Sequence, residues 1–355
     1  MLITHSLSLL LTTAPFALAL AQAPSPPQAF PAKGDNGEMG GIFGMGQAMV
    51  AAGLPKGGFP NGPEFPKPGP RFTNGGSGPY KAWYTTDPGL PQHTIFAPKA
   101  APPTGVKVPV IVWGNGGCMA SGTMFSDFLT EIASYGYLVL ANGNPAANTT
   151  TTAPTGAEIN PLAGLLAAAG RGISKVQMLT DSIDWVTKGN AAKFGDIDIA
   201  HLAAAGQSCG GLEGKSILSS YATSYHDDRV KLTVLFNSGV IDPAKKYLLK
   251  ELKAPVAYFL GGPLDIAYPN GEADYPLLPE GLPSVKVSLD SGHMGTYGAT
   301  GGGKFGKAAV AFFEWQFRGD AKAKAKFTDP ASEGSLVKDN WNVTMKGFRE
   351  KGGML

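Results

Sequence analysis

At 355 residues the chain is long enough to bury one large core, and a single α/β domain of about 250 residues with added segments is the natural expectation. A net charge of +2 with only 16% charged residues excludes the clustered Lys/Arg face of a nucleic-acid binder. With 49 Gly and 29 Pro, much of the chain must run in turns and wrapped loops.

The first residues read as a secretory leader, 1–21. An apolar stretch over 7–20 runs into small residues, and cleavage after Ala19, Ala21 or Ala23 satisfies the small-x-small rule. The stretch is too short and too Pro-interrupted to span a bilayer, and no other long apolar run follows. The mature protein is therefore expected to be secreted and extracellular, without stable membrane insertion. Residues 22–79 form a Pro/Gly-rich arm with one short helix expected within 41–53. Two sequons, Asn148-Thr149-Thr150 and Asn342-Val343-Thr344, are expected glycosylation sites.

Residues 80–86 and 93–98 read as two strands around the turn Asp87-Pro88-Gly89, an antiparallel hairpin at the edge of a sheet. Then strands and helices alternate. Residues 108–113 are continuously apolar, as a strand buried on both faces should be. Phe125, Phe128, Leu129, Ile132 and Tyr135 share one helix face, and Gly136 is a fitting stop. Further strands are expected at 137–141, 197–205, 230–236, 256–260 and 285–289. Helical spacing occupies parts of 162–187, and helices are expected near 243–252 and over 305–317. This alternation predicts a mostly parallel central sheet with helices on both faces, so residues just after each strand should converge. The catalytic domain spans 80–318, and 319–355 is a charged extension packed on its surface.

The chemistry centres on Gly206-Gln207-Ser208-Cys209-Gly210, a G-x-S-x-G turn between a small-residue strand and a helix-compatible run. Such a turn holds a hydroxyl above the sheet edge. A serine hydroxyl needs a base, and an acid to orient that base. Of the five histidines, His5 lies in the leader, His93 and His201 precede Ser208, and His226 follows it too soon for an acid to intervene. His293, in the Gly-flanked loop after the last expected parallel strand, remains. The acid should follow the preceding strand, where Asp265 fits; Asp242 is the alternative and Asp274 lies further out. An oxyanion site needs two converging N–H groups, one from Cys209 and one from Gly117 or Cys118 in the loop Trp113-Gly114-Asn115-Gly116-Gly117-Cys118. If both loops build one site, the chain's two cysteines, Cys118 and Cys209, are neighbours and form a disulfide, worth about 4–5 kcal/mol on the entropic account.

Together the Gly-rich loop, Gly206-Gln207-Ser208-Cys209-Gly210-Gly211, Asp265 and His293 resemble the α/β-hydrolase superfamily. Within it the chain resembles secreted esterases of the dienelactone-hydrolase, chlorophyllase and polyester-hydrolase (cutinase-like) neighbourhood. The likeness covers roughly 80–318. It implies the α/β-hydrolase fold, a Ser-Asp-His triad, an acyl-enzyme, a small-molecule or polymeric ester as substrate, and no cofactor. Asn115-Gly116-Gly117-Cys118 departs from the His-Gly-Gly of many relatives. An inactive binding protein on the same scaffold, or a peptidase or acyltransferase with the same triad, are the competing expectations. No zinc-type His spacing occurs, and two distant cysteines supply no metal signature.

Overall fold

The computed structural model describes residues 75–145, 174–208 and 227–347, all within the unit Gly53–Leu355. The leader, the expected helix within 41–53, the sequon at Asn148, Cys209, His226 and the helix-compatible run after Ser208 lie outside the described residues.

Among the described residues, nine strands form one sheet. They are β1 (Ala82–Asp87), β2 (Leu90–Pro98), β3 (Lys107–Gly114), β4 (Leu138–Asn142), β5 (Asp196–Gln207), β6 (Leu232–Phe236), β7 (Val256–Leu260), β8 (Ser284–Ser288) and β9 (Asn342–Lys346). Their spatial order is β1-β2-β4-β3-β5-β6-β7-β8-β9. The pairs from β4 through β3, β5, β6 and β7 to β8 are parallel. Antiparallel pairs flank them: β1 with β2, β2 with β4, and β9 with β8.

The parallel strands read as continuous apolar runs because both their faces are covered. Period-two alternation divides the side chains between the faces. Ile111 and Trp113 of β3 enter one core, whereas Val110 and Val112 enter another. The first core is packed by α1 (Ser126–Ser134) and by two helices near the C-terminus, α4 (Gly303–Arg318) and α5 (Ala321–Thr328). The second is packed by α2 (Val176–Thr187). A third cluster gathers residues of β6 and β7 with Leu249, Tyr275 and Leu278, on either side of α3 (Tyr268–Asp274) in the chain. This is an α/β arrangement, with a mostly parallel sheet and helices on both faces.

Two stretches differ from the sequence expectation. Residues 243–252, expected as a helix, form the 3-10 segment Pro243–Glu251, capped by Asp242, whose carboxylate accepts from the Ala244 N–H. Leu249 is its one buried residue, too little apolar surface to hold a longer α-helix in place. In the extension expected over 319–355 the sequence announces no strand, yet residues 342–346 add one to the sheet edge. Asp320 caps α5 by accepting from the N–H groups of Lys322 and Ala323, and β9 pairs with β8. Trp341, at the entrance to β9, is buried against Phe259 and Phe305, with ring centroids 6.3 and 5.0 Å away.

Candidate active site

Register brings the site together. Gly114 at the end of β3 lies opposite Gly206 on β5, and Gln207 lies opposite Phe236 at the end of β6. Phe236 pairs with Phe259 on β7, and Leu260 pairs with Ser288 on β8. The chain therefore leaves these strands along one rim, as parallel α/β sheets require of their binding sites.

Ser208 follows β5 directly and holds a left-handed backbone (φ 50°), a conformation that costs a non-glycine residue about 1–2 kcal/mol. The neighbouring strand exit secures it, because the Ser238 hydroxyl donates to the Ser208 carbonyl at 3.0 Å. His293 lies in the loop after β8. Its Nε2 is 2.8 Å from Ser208 Oγ, and its Nδ1 is 2.6 Å from Asp265 Oδ1. An ionised carboxylate can only accept, so Nδ1 carries the proton and Nε2 faces the serine as acceptor.

Asp265 is buried, and donors surround it. Oδ1 also accepts from the Ala267 N–H at 2.9 Å. Oδ2 accepts from the Gly261 N–H at 3.0 Å and from Asn237 Nδ2 at 2.9 Å. Burial would raise this carboxyl. The hydrogen bond and charge of His293, joined by the Gly261 and Ala267 N–H groups, outweigh it and hold the carboxyl below the usual carboxylate range.

The His293 loop is pinned from three sides. Gln207 Nε2 donates to the His293 carbonyl at 3.0 Å, and Asn237 Nδ2 donates to the Gly292 carbonyl at 3.2 Å. Ser291 and Gly292 N–H groups both donate to the Gly261 carbonyl, at 3.0 and 2.8 Å. Gly261 must be glycine here, since a Cβ would lie 2.0 Å from the Gly292 carbonyl oxygen.

The loop after β3 begins with Asn115, which is buried. Its Oδ1 accepts from the Trp113 indole N–H at 3.0 Å, and its Nδ2 donates to the Asn142 carbonyl at 2.6 Å. This ties the loop to the ends of β3 and β4. The 3-10 turn Gly116–Cys118 follows, with Gly117 in the left-handed region (φ 62°). The turn leaves the sheet one strand away from Ser208.

Of the residues singled out from sequence, Ser208, Asp265 and His293 form one hydrogen-bonded relay. The two other candidate acids have other partners. Asp242 caps the 3-10 segment, and Asp274 pairs with Lys246 and accepts from the Val240 N–H at 2.5 Å. His93 is buried between the carbonyls of Pro91 and Met178, each 2.8 Å from a ring nitrogen. His201 pairs with Asp198 at 2.7 Å. Asn342, the second sequon, is exposed on β9.

Sequence reasoning missed Gln207, Asn237 and Tyr297. Asn237 was within its reach, because it immediately follows β6 and residues just after each strand are expected to converge. Among the described residues no cluster of His, Cys, Asp and Glu has the grouping of a metal site, and no helix is long and apolar enough to cross a membrane. No family model matches the sequence, and no curated protein is significantly similar to it.

Proposed function

We propose that this chain is a serine hydrolase of the α/β-hydrolase fold that cleaves carboxylic esters through an acyl-enzyme. The observation that carries the reading is the relay from Ser208 Oγ through His293 to a buried, ionised Asp265. The strand order, the antiparallel pairing at the β1 edge, and a nucleophile, acid and base following β5, β7 and β8 support the fold assignment. The esterase-like motif set of the sequence supports esters as the substrate class.

In this mechanism His293 Nε2 takes the Ser208 proton as Oγ attacks the ester carbonyl. The resulting oxyanion is met by backbone N–H groups of Cys209 and of Gly117 or Cys118. The tetrahedral intermediate collapses, and the alcohol leaves with the proton from the imidazolium. Water, deprotonated by the same nitrogen, then releases the acid and restores Ser208. Asp265 stays ionised throughout; it holds the Nδ1–H tautomer and stabilises the imidazolium.

Ser208→Ala tests the assignment. Turnover of p-nitrophenyl acetate should fall by about 10⁴- to 10⁶-fold with an unchanged circular dichroism spectrum. Near-normal turnover in that variant removes the nucleophile and with it the mechanism. An ester and a peptide sharing one acyl group, incubated side by side, check the substrate class. The reading includes secretion after loss of 1–21, a Cys118–Cys209 disulfide, and glycans at Asn148 and Asn342. Intact mass before and after reduction and deglycosylation checks these.

A further inference from the structure

Behind the acid lies a second pair of side chains that the reaction itself does not use. Asn237 leaves β6 in the left-handed region (φ 46°), which asparagine tolerates better than most residues, and its N–H donates to the Phe259 carbonyl at 2.7 Å. Its side chain is fully buried. Nδ2 donates to Asp265 Oδ2 at 2.9 Å and to the Gly292 carbonyl at 3.2 Å. Both partners are pure acceptors, so the amide nitrogen must face them, and Oδ1 then needs a donor on its other side.

The Tyr297 hydroxyl supplies that donor. Tyr297 is four residues beyond His293 and fully buried. Its ring is gripped edge-on by Phe125, Phe128 and Phe305, with centroids 5.2, 5.1 and 5.1 Å away, which fixes the direction of the hydroxyl. Burial, and then the Asp265 charge, push this phenol well above its usual range, so it keeps its proton and remains a donor. The donors thus run one way, from Tyr297 to Asn237 to Asp265. A carboxamide does not relay protons at neutral pH, so the chain sets geometry.

We propose that Asn237 and Tyr297 are positioning residues: one amide, held in one orientation by a caged phenol, fixes the Asp265 carboxylate and the His293 loop relative to each other. The proposal rests on the hydrolase reading above. It explains why a residue between the acid and the base loop is an asparagine in a left-handed backbone. The site needs two N–H donors and one acceptor in a single short side chain.

Two variants test it. Tyr297→Phe removes only the hydroxyl, and Asn237→Gly removes the amide while still allowing the left-handed backbone. With p-nitrophenyl acetate, kcat should fall about 10-fold in Tyr297→Phe and about 100-fold in Asn237→Gly, with KM nearly unchanged.

Wild-type kcat in both Tyr297→Phe and Asn237→Gly overturns the proposal. If Asn237→Gly does not fold, Tyr297→Phe carries the test. The low-field proton resonance of His293 Nδ1–H gives a readout independent of turnover. It should move upfield in Tyr297→Phe, and an unmoved resonance counts against the pair. A wild-type protein that keeps this resonance and hydrolyses no ester would sink the hydrolase reading and leave the positioning inference standing.

Discussion

Gly261→Ala puts the pinned geometry of the His293 loop under direct strain. Gly261 ends the run after β7, and its carbonyl accepts from the Ser291 and Gly292 N–H groups. A Cβ on it would lie 2.0 Å from the Gly292 oxygen and 2.7 Å from Asn237 Nδ2. Ordinary contact begins at 3.4 Å, so the loop must retreat by about 1.4 Å. The Gly292 oxygen belongs to backbone and cannot rotate aside as a flexible side chain would. His293 is the next residue, and its Nε2 contact to Ser208 is 2.8 Å, so a retreat of that size opens it beyond hydrogen-bond reach. A misplacement of this order costs about 100-fold in kcat. Overpacking at the same place costs about 1–3 kcal/mol of stability. Initial rates with p-nitrophenyl acetate, corrected for folded fraction from urea melts, measure both. Gly281→Ala is the control, because nothing lies within 4 Å of its added methyl. A Gly261→Ala variant with wild-type kcat and wild-type stability would refute the steric reasoning.

Two further outcomes follow from the same interactions. The Asp265 carboxyl is held below its unfolded range, so its contribution to stability is complete above that range and is lost as pH falls through the lower folded value. Wild type should therefore shed an increment of stability below about pH 4 that Asp265→Asn does not shed, and superimposable acid titrations of the two would contradict this. Trp341→Ala should cost about 3–5 kcal/mol in urea unfolding, since it empties a site between Phe259 and Phe305, and a loss under about 1 kcal/mol would contradict the burial of that indole.

The parts of the molecule that sequence reveals are those whose signal is local or ordered along the chain. The apolar strands β3, β4, β6 and β7 announce themselves because both faces are buried. Ser208 is marked by its flanking glycines, and His293 is left by elimination among five histidines once chain order is imposed. Asp265 could be preferred over Asp242 by strand position alone. Their contacts differ as well, Asp265 meeting His293 and Asp242 accepting from a backbone N–H at a segment start. β9 is hidden because its five residues pair on one side only and read Asn-Val-Thr-Met-Lys, a pattern no stronger than a polar loop. Tyr297 is hidden because its hydroxyl acquires meaning only from Asn237, sixty positions earlier. A pairing of that kind has no periodicity to betray it.

Left-handed backbone at the ends of two adjacent central strands gives a last test. Among the described residues of the site, Ser208 and Asn237 are the non-glycine ones at positive φ, one after β5 and one after β6. Strain of this kind persists where the surroundings over-determine it, and here the Ser238 hydroxyl, the paired strands and the Asn237 amide all do so. Comparing Ser208→Gly with Ser208→Ala isolates the strain, because both variants lose the hydroxyl and its bond to His293. Alanine retains a Cβ in the left-handed region, at about 1–2 kcal/mol, whereas glycine is free of it and gives back about 0.4–1 kcal/mol through its looser unfolded chain. Ser208→Gly should therefore be the more stable of the two variants, by up to about 1.6 kcal/mol, read from urea midpoints at equal m-value. If Ser208→Ala proves the more stable, the turn carries no strain. Ser208 would then owe its position to hydrogen bonding alone.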